Sequence, residues 1–200
     1  MEFFVTQEDA EERQPQLSRE GERLGLDSSF LALDDYSAAD LEAFTRYMDD
    51  HGVEFFSAEE VTTPNHPDKA LQVGFEVLVP PLHLWPWALL VLKVGDRIRK
   101  AVDHPVRLRN LYRPMSYNAL VASSDIDSDH PNACAGDFDF ANQDHRRVAE
   151  DLVRDLSRSL PELELSLGLG ARSLHVGVMS PKGKRHWFYD SYDDPRTPLE

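Results

Sequence analysis

The 200-residue chain carries 36 acidic against 21 basic side chains, a formal net charge of −15. That balance speaks against a nucleic-acid interface, because a phosphate backbone is met by a basic stripe, and against docking on anionic membranes. With 41% apolar residues the length suffices for a domain with its own core, and a lone cysteine, Cys134, leaves no internal disulfide.

The opening stretch, MEFFVTQEDAEERQPQ, shows no basic region followed by an apolar run, so no secretory signal is expected in it. Residues 7–27 are rich in Glu, Arg, Gln and Gly without an apolar period. Residues 1–27 therefore read as a mobile or loosely docked acidic arm, and 28–200 as a single domain. In YSAADLEAFTRYMDDHG, Ser37 is a plausible N-cap. Leu41, Phe44 and Met48 share a helical face, and Gly52 ends the helix. The prolines and Asn65 make 62–72 a loop, and those of 74–86 allow at most a short strand.

Pro86 suits the start of a helix from about Trp87 to Ala101, with Leu90, Val94, Ile98 and Ala101 on one face. Residues 84–95 are the most apolar stretch. They are interrupted by Pro86 and Lys93 and are too short to span a bilayer, so no membrane insertion is expected. Residues 106–112 alternate as a strand, though Asn110 breaks the apolar set, and SYNALVASS reads as a short helix or turn. GDFDFAN (136–142) alternates strictly. An amphipathic helix follows, with Val148, Leu152, Leu156 and Leu160 on its expected buried side, and Pro161 ends it. LSLGLGARS reads as a glycine-rich turn. Residues 173–179 and 185–191 read as two strands joined in a hairpin by SPKGK. The expected fold class is α+β, a small, largely antiparallel sheet flanked by helices.

Strand period bears on chemistry. In 136–142, Phe138 and Phe140 point one way and Asp137 and Asp139 the other. In 173–179, Leu174, Val176 and Val178 share a face, with His175 opposite and Gly177 leaving space beside it. His130 lies in the loop before Asp137 and can fold back toward it. Two imidazoles and one carboxylate form the ligand set of a catalytic zinc with an open fourth position. The competing readings are a solvated strand face for Asp137 and Asp139 and an ordinary core or surface histidine for His175. Asp125, Asp127 and Asp129 read as a solvated loop, and Cys134 as a small buried filler.

The run LYRPMSYNALVASSDIDSDHPNACAGDFDF resembles the signature of the zinc D-alanyl-D-alanine metallopeptidases, through Tyr112-Arg113, Tyr117-Asn118, Ser128, His130, Ala135 and Asp137. SLHVGVMSPKGKRHWFYDS matches the late part, with His175 and then Trp187, and FFSAEEV (55–61) resembles the opening segment. The likeness runs from about residue 54 to 191. It implies the fold shared with the hedgehog signalling domain and Zn²⁺ held by His130, Asp137 and His175. It also implies Arg113 on the substrate's carbonyl or carboxylate, and peptidoglycan stem peptides as substrates. A family enzyme is expected to work in the periplasm or outside the cell. Ser128 either braces the ligand loop or is a turn residue.

The chain departs from the family pattern at three positions. Ala133 stands where glycine is usual, Arg172 where an acidic base often precedes the last histidine, and Gly177 where some members have an acid or a serine. The water-activating group is therefore open among Asp139, Glu164, Glu162 and His186. Asp139 is alternatively a brace for a ligand histidine, and the two glutamates a solvated helix end. Trp85, Trp87, Trp187, Phe188 and Tyr189 either line a peptide groove or belong to the core. Three functions stay open: a zinc peptidase acting as carboxypeptidase or endopeptidase, an inactive metal-binding module of the same fold that binds a peptide or glycan, and an acidic α+β domain without metal.

Overall fold

The structure, a computed structural model, describes residues 5–34, 36, 39–121 and 128–189. Its helices are α1 (Gln7–Arg23), α2 (Leu41–Asp50), α3 (Ala58–Thr62), α4 (Pro67–Gln72), α5 (Trp85–Val102), α6 (Met115–Asn118) and α7 (Gln143–Ser159). Its strands are β1 (Arg107–Asn110), β2 (Ala135–Asp139), β3 (Ser166–Leu169), β4 (Ser173–Gly177) and β5 (His186–Phe188). They form one five-stranded sheet in the order β1-β2-β4-β3-β5, mixed α/β overall with helices flanking the sheet.

The apolar alternation sets the register. Phe138 pairs with Leu174 across the antiparallel β2–β4 ladder, and both are fully buried. Helix α5 closes over that face. Its Gly95 permits the approach, since a Cβ there would stand 2.8 Å from the Phe56 ring and 3.0 Å from Phe138. Trp85, Trp87, Leu89 and Leu90 are all solvent-inaccessible, so the first two tryptophans belong to the core and not to a groove. Ala101 is exposed at the far end of the same helix.

Several elements differ from expectation. The arm contains α1, capped by a Thr6–Asp9 box and docked through Leu17, which is 1% exposed. Its buried Ala10 and Leu17, with Leu24 just beyond the helix, recur every seven residues. That stripe is too thin to stand out among the surrounding charges. Helix α2 is capped by Asp40, whose carboxylate accepts from the Ala43 N–H. Ser37, like Asp125 and Asp127, lies outside the described residues. Within the predicted loop, Pro67 starts α4, because a missing N–H costs nothing in a first turn. In α7 the buried face is Ala149, Val153 and Leu156 with the ion pair Arg146–Glu150, and Val148 is 42% exposed. A charged pair that satisfies itself can lie inward, which the apolar period alone does not reveal.

The glycine-rich stretch is strand β3, buried throughout, and its turn is confined to 170–172, where Gly170 N–H donates to the Ser173 carbonyl. The hairpin is accordingly β3–β4 and not β4–β5. Both edges of β4 are taken, by β2 and β3. The last strand therefore crosses to the free edge of β3 and pairs there in parallel.

Candidate metal centre

The centre is built where β1, β2 and β4 meet the turn 130–132. Antiparallel register sets Asp137 directly opposite His175, on the face away from Phe138 and Leu174. His130 comes from the turn before β2. Its backbone is tied down by the Arg113 N–H, which donates to the His130 carbonyl at 3.2 Å. One donor atom from each of His130, Asp137 and His175 falls within 4.8 Å of the others, and the group can hold a metal ion. His130 Nε2 is 3.2 Å from Asp137 Oδ2, and His175 Nδ1 is 2.8 Å from Asp137 Oδ1. The two imidazoles stand nearly perpendicular, at 88°.

The hydrogen bonds behind these groups suit ligation. His130 Nδ1 lies 3.1 Å from the Leu111 carbonyl, which can only accept, so a neutral His130 keeps its proton on this nitrogen and leaves the Nε2 lone pair for a metal. Asp137 Oδ2 accepts from Asn110 Nδ2 at 2.9 Å. Asn110 reaches it because the β1–β2 register shifts between Leu108 and Asn110, a bulge that re-aims the side chain. Sequence reasoning did not assign Asn110 a role. The available signal was its break in the alternation of Val106 and Leu108.

Charge and burial are opposed at every member. Burial works against the Asp137 carboxylate, but the His130 charge and hydrogen bonds from both histidines outweigh it and hold its pKa well below the usual range. Burial, reinforced by the Arg113 charge, outweighs the opposing Asp137 carboxylate and lowers the His130 pKa, as a neutral ligand requires. Burial also opposes the His175 imidazolium, yet Asp129 and Asp137 prevail and its pKa is raised. A cation at such a site would supply the positive charge that Asp137 otherwise draws from protonated imidazole.

Arg113 is 8% exposed and beside this group; its pKa is lowered by burial against the Asp137 charge. Its Nη2 donates to Ser128 Oγ at 3.3 Å, and its Nε has no hydrogen-bond partner among the described residues. Ser128 Oγ also accepts from the His130 N–H at 3.4 Å, so Ser128 braces the ligand turn. Asp139 lies on the Asp137 face at the edge of the site, with Arg109 at 3.6 Å, and burial raises its pKa.

The other candidate bases lie elsewhere. The Leu163 carbonyl accepts from the Met179 N–H, which places Glu164 next to a residue two positions past the end of β4. Glu162 pairs with Arg23 at 2.8 Å. His186 alternates with Trp187 on β5 and so points to the opposite face, where Lys184 and Arg154 are its charged neighbours. Trp187 packs against His175 with ring centroids 5.0 Å apart and planes tilted by 52°, and Tyr189 follows at 6.1 Å from Trp187. Trp187 lies across Gly168, where an added Cβ would stand 2.5 Å from the indole. The glycine in β3 is thus a seat for a ring.

Asp129 corrects the solvated-loop reading. It is 2% exposed and tied to Ser180 and Arg185. The physical reason is that a short acidic side chain next to a ligand turn finds two donors across the β4–β5 connection. Cys134 is buried and outside the cluster, its thiol pKa pushed well up by burial. Comparison with protein-family models, with curated proteins and with solved structures returned no match.

Proposed function

We propose that the chain is a zinc-dependent peptidase of the D-alanyl-D-alanine type, hydrolysing peptidoglycan stem peptides that contain D-amino acids. The observation that carries this reading is the buried His130–Asp137–His175 convergence, with the His130 tautomer fixed by Leu111 and a buried arginine alongside. His130, Asp137 and His175 form a donor set that suits Zn²⁺, which when bound would polarise a scissile carbonyl and lower the pKa of a water. Arg113 holds the substrate's carbonyl or carboxylate and steadies the negative charge that develops there. Asp139, whose raised pKa favours proton uptake, takes the proton and returns it to the leaving amine. Trp187 and Tyr189 form an aromatic wall for the peptide stem.

A second reading, a metal-binding module that has lost catalysis, draws support from one observation. Among the proposed bases only Asp139 borders the site, and Arg109 lies within 3.6 Å of it. Incubating the zinc-loaded chain with muropeptides ending in D-Ala-D-Ala, and with stems carrying internal L-Ala-D-Glu bonds, tests the choice. Release of D-alanine or of split stems supports the peptidase. Stoichiometric zinc without turnover on any stem supports the module.

A further inference from the structure

If His175 offers Nδ1 to a metal, its Nε2 must carry the proton, and a buried Nε2–H needs an acceptor. His175 is 6% exposed, and its Nε2 makes no hydrogen bond. What faces it is Asp129 Oδ2, at 3.7 Å. This is longer than a hydrogen bond, but it is the separation from which a small rotation of the ring would make one.

Asp129 is itself held in place. Ser180 Oγ donates to its Oδ1 at 2.6 Å, Arg185 Nη2 binds its Oδ2, and the Lys182 N–H in turn donates to Ser180 Oγ at 3.1 Å. The carboxylate fits there because position 177 is glycine: a Cβ would stand 3.2 Å from Asp129 Oδ2 and 3.1 Å from Ser166 Cβ. Asp129 therefore sits on the far side of His175 from Asp137, away from the ligand cluster. From there it has no access to a reacting atom, and it acts only through the ring.

We propose that Asp129, clamped by Ser180 and Arg185, is a positioning residue that selects the Nε2–H form of His175 and so turns Nδ1 toward the metal. The proposal rests on the metal reading above. A carboxylate behind a ligand histidine raises its basicity and fixes its plane, and loss of such a partner lowers metal affinity roughly 10- to 100-fold.

The test uses the full chain with Asp129→Asn, and with Arg185→Gln as a milder variant at a partly exposed residue. Two readouts are taken: zinc affinity by chelator competition, and the His175 tautomer by long-range ¹H–¹⁵N correlation in metal-free protein at alkaline pH, the latter in an Asp137→Ala background that removes the carboxylate 2.8 Å from Nδ1 and its competing claim on the proton. The expected result is a roughly 10- to 100-fold weaker zinc affinity for Asp129→Asn and a smaller loss for Arg185→Gln. Both variants also shift the His175 population toward Nδ1–H, which a merely structural role would not produce. Wild-type affinity together with a wild-type tautomer in both variants overturns the proposal. If the wild-type chain binds no zinc, the metal reading fails, and the tautomer shift alone still decides whether Asp129 orients His175.

Discussion

Gly168→Ala probes the packing that connects the sheet to the site. The added methyl would fall 2.5 Å from Trp187 Cε2 and Cζ2 and 2.7 Å from Nε1, whereas carbon atoms in contact sit at about 3.5–4.0 Å. The indole must recede by about 1 Å, and overpacking of this kind costs about 1–3 kcal/mol. Trp187 is on edge strand β5 and only half-buried, so the ring can swing outward, and the lower part of that range is expected. In moving it leaves the His175 imidazole, against which it packs. Urea denaturation of wild type, Gly168→Ala, Trp187→Ala and the double variant isolates the contact. The glycine substitution should cost about 1–2 kcal/mol with tryptophan present and close to nothing without it. Equal penalties in both backgrounds would refute the reasoning, since the cost would then lie in the β3 backbone and not against the ring.

Other outcomes follow from the same geometry. Leu17→Ala should destabilise the chain by about 2–5 kcal/mol in denaturant titrations, because Leu17 is buried in the main core; a change under about 0.5 kcal/mol would mark α1 as loosely docked. In metal-free protein, burial raises the Asp129 pKa, but the Ser180 hydrogen bond and the nearby His175 and Arg185 charges outweigh it and hold it at about 2, below the ordinary 3.8. A depressed carboxylate stabilises the fold fully above its unfolded pKa, so about 2 kcal/mol present at neutral pH is lost as the pH falls from 3.8 through about 2. Asp129→Asn should flatten that acid limb in pH-dependent melts. If the peptidase reading holds, Asp139→Asn should lower kcat by roughly 100-fold or more while zinc content stays at the wild-type level.

The parts of the site legible in the sequence were those governed by strand period. Alternation alone turned Asp137 away from Phe138 and His175 away from Leu174, and antiparallel pairing then set the two face to face. What period cannot express was missed. Asn110 reaches Asp137 only because a bulge re-aims it, and Asp129 is buried only because Ser180 and Arg185 arrive from a distant connection. The expected β4–β5 hairpin does not form although SPKGK is a plausible turn locally, because strand order depends on which edges other strands already occupy. Glycine was the most ambiguous letter. Gly168 seats a tryptophan, Gly95 admits two phenylalanines, and Gly177 makes room for a carboxylate, all of them packing roles. Conversely, Ala133 adopts φ +50°, a conformation that glycine accepts at less cost.

The central claim, that His130, Asp137 and His175 hold one zinc ion, is tested most directly by metal content. Purified protein is equilibrated with zinc, freed of loosely bound ion, and assayed for zinc alongside His130→Ala, Asp137→Ala and His175→Ala, with circular dichroism to establish that each variant is folded. The account predicts about one zinc per wild-type chain and essentially none in any folded variant. A wild-type chain without stoichiometric zinc, or folded variants that retain it, would contradict the account.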